Sequence, residues 1–406
     1  MTLGTAFGSL FEPPQEGASP RTALVLMGGG ARTAYQVGVL LGLAQILGSG
    51  SRAWFDILVG TSAGALNAAC LADQAPVGAV AVERLAQFWL ALRSEQVYSV
   101  QPWRVGPGLR WAGLISPTWL LRRLPRALLE ASPLAQHLDR AVRPARIARA
   151  LEQGHLQALA VTASSYTSGL HWTFYQTGAR WQRPAWQRPG RRAVPEVIGH
   201  GHLLASAAIP CLFPAVPLQV QGRTEYFGDG SMRQIAPLSP AFNLGATRIL
   251  AIGVGQPERS GMGHGGTVAA GYPSLAQIAT HAMASVFHDT LEADVEQAER
   301  VNAGLRRWRQ ATAAGGWSYR SVQVMAIQPS RSLDELAQAH VRALPEAAFR
   351  ALKWLGGTQA AGAALASYLL FEPPFVQALM DLGRSDALAR RAQIEAFFDG
   401  QAMPSA

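Results

Sequence analysis

The pentapeptide Gly60-Thr61-Ser62-Ala63-Gly64 constrains this chain more than any other stretch, because of what flanks it. Before it runs the apolar segment Phe55-Asp56-Ile57-Leu58-Val59, and after it the helix-forming Ala65-Leu66-Asn67-Ala68-Ala69. A Gly-x-Ser-x-Gly between a strand and a helix is a sharp, strained turn that holds its serine hydroxyl outward, and the flanking glycines remove the Cβ atoms that would block the bend and an approaching substrate. Ser62 is therefore a candidate nucleophile. An ordinary tight turn uses the same residue types, so the setting has to decide.

Composition narrows that setting. With 406 residues, 49% hydrophobic and 15% charged, the chain can bury a sizeable core in one elaborated domain or two. Its two cysteines, Cys70 and Cys211, supply neither a disulfide framework nor metal-ligand spacing, and both read as buried small hydrophobes in a reducing compartment. Met1 to Ser19 lacks the basic leader and apolar core of a signal peptide, and no stretch approaches the roughly 18 uncharged apolar residues of a membrane span. The expectation is a cytoplasmic protein, soluble or peripheral to a membrane. A net charge of +9 attracts phosphates in general. The basic residues are almost all arginine, with Lys353 the sole lysine, and no interleaved aromatic and basic pattern or zinc-finger spacing occurs, so no nucleic-acid partner is expected.

Along the chain, Ala23-Leu24-Val25-Leu26-Met27 reads as a short buried strand ending in Gly28-Gly29-Gly30. Tyr35, Val39, Leu43 and Ile46 then recur at helical spacing, and Gly48 to Ser51 ends that helix. Strand, glycine loop, helix, strand, serine turn and helix make a βαβα run, which predicts a mostly parallel sheet with helices on both faces. Residues 78 to 94 read as a third helix. From about 98 to 156 comes an insertion or cap rich in Trp and Arg, with Trp103, Trp111, Trp119, Arg104, Arg122 and Arg123. That pairing suits a membrane interface and equally suits tryptophans packed beneath a surface helix with solvated arginines. Residues 157–163 and 170–175 read as two strands around a turn, and the near-tandem Trp181-Gln182-Arg183-Pro184 and Trp186-Gln187-Arg188-Pro189 as an irregular surface loop.

A second constellation is Tyr226-Phe227-Gly228-Asp229-Gly230-Ser231, upstream of the strand Arg248 to Val254. Asp229 at a strand end between two glycines is a candidate catalytic base, and Asp-Gly is also a common turn dipeptide. Taken together, Gly28-Gly29-Gly30-Ala31-Arg32, Gly60 to Gly64, Ala205-Ser206-Ala207-Ala208-Ile209-Pro210 and Asp229-Gly230 resemble the patatin-like phospholipase family. The resemblance runs from about residue 22 to 256, with weaker similarity at Asp289 to Asn302 and Ser367 to Phe371.

That resemblance implies an α/β, three-layer fold and a Ser-Asp dyad, with Ser62 as nucleophile and Asp229 as the base accepting its proton. It further implies that Gly28, Gly29 and Gly30 form the oxyanion hole, where amides at a strand end and helix N-terminus favour negative charge. An aspartate near its reference pKa of about 3.9 is a poor base for a hydroxyl, so the dyad requires apolar or buried surroundings. The implied reaction is acyl transfer from a lipid ester through an acyl-enzyme, with no metal or cofactor. Arg32 is placed to bind a lipid phosphate or to hold the glycine loop. Thr33 stands where the family usually has glycine; it also removes the third glycine that a dinucleotide-binding loop would need.

Two other readings use the same residues. An α/β-hydrolase would complete a Ser-Asp-His triad with His264, His281, His288 or His340. A non-catalytic lipid-binding or regulatory module would keep the fold and lose one of the motifs. The domain plan expected is an N-terminal tail over 1–20, a catalytic domain over 21–256 and a mainly helical extension over 257–406. In that extension, residues 275–309 read as helices, Ser321 to Gln328 as a strand completing the sheet, and Asp294, Glu296 and Glu299 as a solvated acidic face.

Overall fold

Strands covered by helices on both faces are buried on both faces, which is why their sequences are continuous apolar runs. In the computed structural model, which describes residues 20–48, 54–100, 129–255, 290–311, 321–346, 348–350 and 366–401, strands β1 (Thr22–Leu26) and β2 (Ile57–Thr61) are buried at every position. A 3-10 turn (Gly30–Thr33) leads from β1 into helix α1 (Ala34–Leu47), and β2 runs into α2 (Ala63–Asp73). Helices α3 (Ala79–Ala91) and α4 (Ser94–Val97) follow. The two-residue strands β3 (Ser99–Val100) and β4 (Leu129–Glu130) pair as a separate ribbon, ahead of α5 (Ser132–Ala141) and α6 (Pro144–Glu152).

The main sheet resumes with β5 (Ala158–Ser165), β6 (His171–Thr177), β7 (Trp186–Arg188) and β8 (Arg191–Pro195). Helix α7 (His200–Ser206) precedes the hairpin β9 (Val216–Val220) and β10 (Arg223–Asp229), and α8 (Ser239–Leu244) precedes β11 (Arg248–Ile252). Last come α9 (Leu291–Ala311), β12 (Gln323–Ile327), α10 (Leu333–His340), α11 (Pro373–Ala389) and α12 (Arg391–Asp399). The sheet order is β12-β11-β1-β2-β5-β6-β8-β7, and the first five strands are mutually parallel. One face packs side chains such as Leu40, Leu66, Leu85 and Phe375 from α1, α2, α3 and α11. The other is covered by Ala241 and Leu244 of α8 and by Leu291 of α9.

The length of β5 positions the site. Its residues 158–162 pair in parallel with Ile57–Thr61 of β2 on one edge, while β6 takes the other edge from Ala158 to Ser164. Beyond Thr162 the first edge is free, and there Ala163, Ser164 and Ser165 pair antiparallel with Asp229, Gly228 and Phe227 of β10. Strands β2 and β10 therefore meet end to end against β5, with Thr61 opposite Thr162 and Asp229 opposite Ala163. The residue after Thr61 is Ser62.

Three expectations are corrected. The Trp-Gln-Arg-Pro repeat is not wholly irregular, because Trp186–Arg188 forms β7 against β8. Pro184 and Pro189 lie outside the three paired residues, and Pro189-Gly190, with Gly190 at φ 70, is the hairpin turn. Cys211 is exposed, unlike Cys70. Its φ of 64 turns it outward while Leu212 and Phe213 take the buried positions. Asp294 is half-buried, and its Oδ2 accepts a hydrogen bond from the Leu238 amide at 2.8 Å at the start of α8, whereas Glu296 and Glu299 are exposed. Trp103, Trp111, Trp119, Arg104, Arg122 and Arg123 lie outside the described residues. No helix among the described residues is long and apolar enough to cross a membrane.

Candidate active site

Ser62 sits at φ 56, ψ −131, a region that L side chains occupy only where their surroundings force it. The force comes from backbone contact on both sides. A Cβ at Gly60 would lie 2.5 Å from the Ala65 Cα, and one at Gly64 would lie 2.5 Å from the Met27 carbonyl oxygen, so only glycine lets β1, β2 and α2 approach this closely. The Ser62 amide donates to Ser206 Oγ at 2.8 Å, and the Ala65 amide to the Ser62 carbonyl at 2.8 Å, which starts α2.

Asp229 is fully buried and uses both carboxylate oxygens. Its Oδ2 accepts from Ser62 Oγ at 2.5 Å and its Oδ1 from the Ser231 amide at 2.8 Å. The turn reading and the base reading of Asp229 thus coexist: one oxygen closes an Asx turn, and the other faces the serine. Burial pushes the carboxyl pKa up to about 6, against the opposing pull of the hydrogen bonds from Ser62 and Ser231. A carboxylate of that basicity is ionised at neutral pH and close enough to its pKa to take a proton. The Asp229 amide donates to the Ala208 carbonyl at 2.8 Å. The motif Ala205 to Pro210 therefore grips both partners, Ser62 through Ser206 and Asp229 through Ala208. Its sequence was visible, but neither role had a local signal.

The glycine loop lies directly on the serine, since a Cβ at Gly28 would come 2.9 Å from Ser62 Cβ. The Gly28 and Gly29 amides donate to no acceptor among the described residues. Thr33 closes the loop: its Oγ1 donates to the Gly30 carbonyl at 2.7 Å, a contact that glycine at this position would lack. Behind the loop, Gln36 Nε2 donates to the Met27 carbonyl at 2.7 Å, Asn67 Nδ2 to Gln36 Oε1 at 3.0 Å, and Trp89 Nε1 to Asn67 Oδ1 at 2.7 Å. All three side chains are buried, so this network ties α1, α2 and α3 to the end of β1. The sequence signal was available: Gln36 and Asn67 are amides inside otherwise apolar helical runs.

Beside Ser62 and Gly30 opens a pocket lined by apolar side chains that include Leu66, Phe88, Leu134, Ile209 and Phe371. A lining of that composition suits an apolar ligand. Arg32 does not face it as a free cation: Nε donates to Ser367 Oγ at 2.7 Å, Nη2 pairs with Asp334, and the guanidinium lies 4.0 Å over the Tyr368 ring. Of the four histidines considered for a triad, His340 lies in α10 with its ring 6.1 Å from that of Phe375. His264, His281 and His288 fall outside the described residues. No cluster of three or more His, Cys, Asp or Glu side chains suited to a metal ion occurs among the described residues.

The structure thus brings Ser62, Asp229, Gly28, Gly29 and Gly30 to one place. A family model described as patatin-like phospholipase matches residues 24–242. No curated protein matches the chain. Among solved structures, VipD from Legionella pneumophila is similar at 14% identity, with a TM-score of 0.29 over 91% of this chain and 69% of that one.

Proposed function

The chain belongs to the patatin-like phospholipase family, and from that premise we propose that it is a serine lipid acyl hydrolase cleaving carboxylic esters of lipids through an acyl-enzyme on Ser62. The observation that carries the reading is the 2.5 Å hydrogen bond from Ser62 Oγ to buried Asp229, beside an apolar pocket.

In this reading Ser62 Oγ attacks the ester carbonyl as its proton passes to Asp229 Oδ2. The negative charge that develops on the carbonyl oxygen is met by the amides of Gly28, Gly29 and Gly30 and by the N-terminal end of α2. Collapse of the tetrahedral adduct breaks the ester C–O bond, and Asp229 returns the proton to the leaving alcohol. Water then attacks the acyl-enzyme, giving its proton to Asp229, and the fatty acid leaves as Ser62 recovers its hydrogen. The pocket holds the acyl chain and keeps the carboxylate dry. The same proposal takes 21–256 as the catalytic unit and 257–406 as an extension packed on it. It puts the enzyme in the cytoplasm, working at a membrane or micelle surface.

The test is hydrolysis of medium-chain p-nitrophenyl esters and phospholipid vesicles by wild type, Ser62→Ala, Asp229→Asn and a variant carrying His264, His281, His288 and His340 all as alanine. Activity absent in the first two variants and kept in the third is the expected result. Loss in a folded histidine variant would replace the dyad with a triad.

A further inference from the structure

The oxyanion loop is short, glycine-rich and therefore intrinsically free, so something must fix the direction of its amides. Within the family-matched residues the network of Gln36, Asn67 and Trp89 holds its base. Its tip is held from elsewhere. Gly30, at φ 54, lies so close to the Tyr368 backbone that a Cβ there would collide with the Tyr368 carbonyl oxygen. Two residues on, Arg32 is 5% exposed and is met by Ser367 Oγ on Nε, by Asp334 on Nη2 and by the Tyr368 ring beneath its plane. Ser367 Oγ also donates to Asp334 Oδ1 at 3.2 Å, so the partners are joined to each other.

The segment that supplies these groups is itself pinned to the catalytic side of the molecule. Tyr98 Oη donates to the Leu369 carbonyl at 3.0 Å, the Phe371 amide donates to Ser94 Oγ at 3.2 Å, and the Phe371 ring stacks on Trp89 at 5.9 Å. Tyr368, Leu369 and Phe371 also line the pocket that contains Ser62. A planar guanidinium with a fixed fork of donors suits such a clamp, which a lysine would not reproduce.

We infer that segment 366–371, beyond the family-matched residues, is a working wall of the site, and that Arg32 is a positioning residue through which it aims the glycine loop. The inference rests on the reading of Ser62 as nucleophile and Gly28 to Gly30 as oxyanion hole. Arg32 touches no reacting atom; it acts through the loop. Its loss is therefore expected in the chemical step and not in binding.

The experiment measures kcat, KM and Tm for p-nitrophenyl butyrate and p-nitrophenyl decanoate with the full chain as wild type, Arg32→Gln, Arg32→Lys, Ser367→Ala, Tyr368→Leu and Ser62→Ala. Arg32→Gln should lose about 10²–10³-fold in kcat on both esters, the range for a lost oxyanion donor, with KM within about twofold of wild type. Arg32→Lys should fall between, and Ser367→Ala should shift in the same direction by less. A folded Arg32→Gln with kcat within about threefold of wild type overturns the inference, as does a loss that appears equally in KM. Should Arg32→Gln fail to fold, Tyr368→Leu decides, because it keeps the pocket filled and removes the ring beneath the guanidinium; an unchanged kcat there overturns the inference as well. If Ser62→Ala is inactive while Arg32→Gln is as fast as wild type, only this inference falls. If Ser62→Ala stays active, or wild type cleaves neither ester, the nucleophile reading falls and takes this one with it.

Discussion

The serine–aspartate junction and the glycine loop lie against each other yet are held by different means. Ser62 and Asp229 are brought together by strand register: β2 and β10 end against adjacent residues of β5, and backbone hydrogen bonds fix both positions. The loop between β1 and α1 is held chiefly by side chains, from Gln36 and Thr33 nearby and from Ser367, Tyr368 and Asp334 far along the chain. Register is a property of many residues together and resists single substitutions, whereas a side-chain clamp can be undone one residue at a time. On the proposed reading, the molecule therefore places its reacting groups robustly and its charge-stabilising amides delicately.

That contrast can be broken first at the junction. Asp229→Asn should lower kcat by about 10²–10⁴-fold, the usual contribution of a general base, while leaving the strand register intact. It should also raise Tm. Burial lifts the folded pKa of Asp229 to about 6 from the ordinary carboxylate value of 3.8, so the native state holds its proton between those values, and the stability present below about pH 4 is lost as pH rises through 6. At pH 7 the buried charge costs up to about 3 kcal/mol, which the neutral amide avoids. A loss of activity accompanied by a lower Tm would mean that the junction depends on Asp229 for its structure.

The loop comes next. Gly30→Ala introduces a Cβ against the Tyr368 carbonyl at a backbone angle unfavourable to alanine, and kcat should drop about 10²-fold on every ester, as for a misplaced oxyanion donor. A smaller and separable effect belongs to the pocket. Leu134→Trp fills space that Leu134 now borders, so kcat/KM for a decanoyl ester should fall about tenfold relative to a butyryl ester. Equal losses on both chain lengths would place the acyl chain elsewhere. Smallest is the effect of mild acid on wild type: with an ionised Asp229 required and a pKa of about 6, kcat/KM should fall along an acid limb centred there, to about half at pH 6. A flat profile between pH 5 and 7 would remove Asp229 as the titrating base.

How much of this could be read in advance follows from the same contrast. The serine turn was legible because the steric demand is local: Gly60 and Gly64 stand within two residues of Ser62, and the apolar run and the helix formers adjoin them. Asp229 was legible as a strand-end aspartate, but its burial depends on β5 outrunning β2, which no local pattern encodes. In sequence Arg32 fits two roles equally, because its partners lie more than three hundred positions away. Cys211 and Asp294 depart from what composition suggests for a related reason: a left-handed backbone at one and a helix start from a distant element at the other.

The clamp on Arg32 also carries a consequence for how the chain is made. Translation delivers Gly30, Ser62 and Asp229 well before Asp334, Ser367 and Tyr368 emerge. A growing polypeptide on the ribosome thus carries the proposed nucleophile and base while the glycine loop still lacks its far anchor, and, on the proposed reading, catalytic competence arrives late in synthesis.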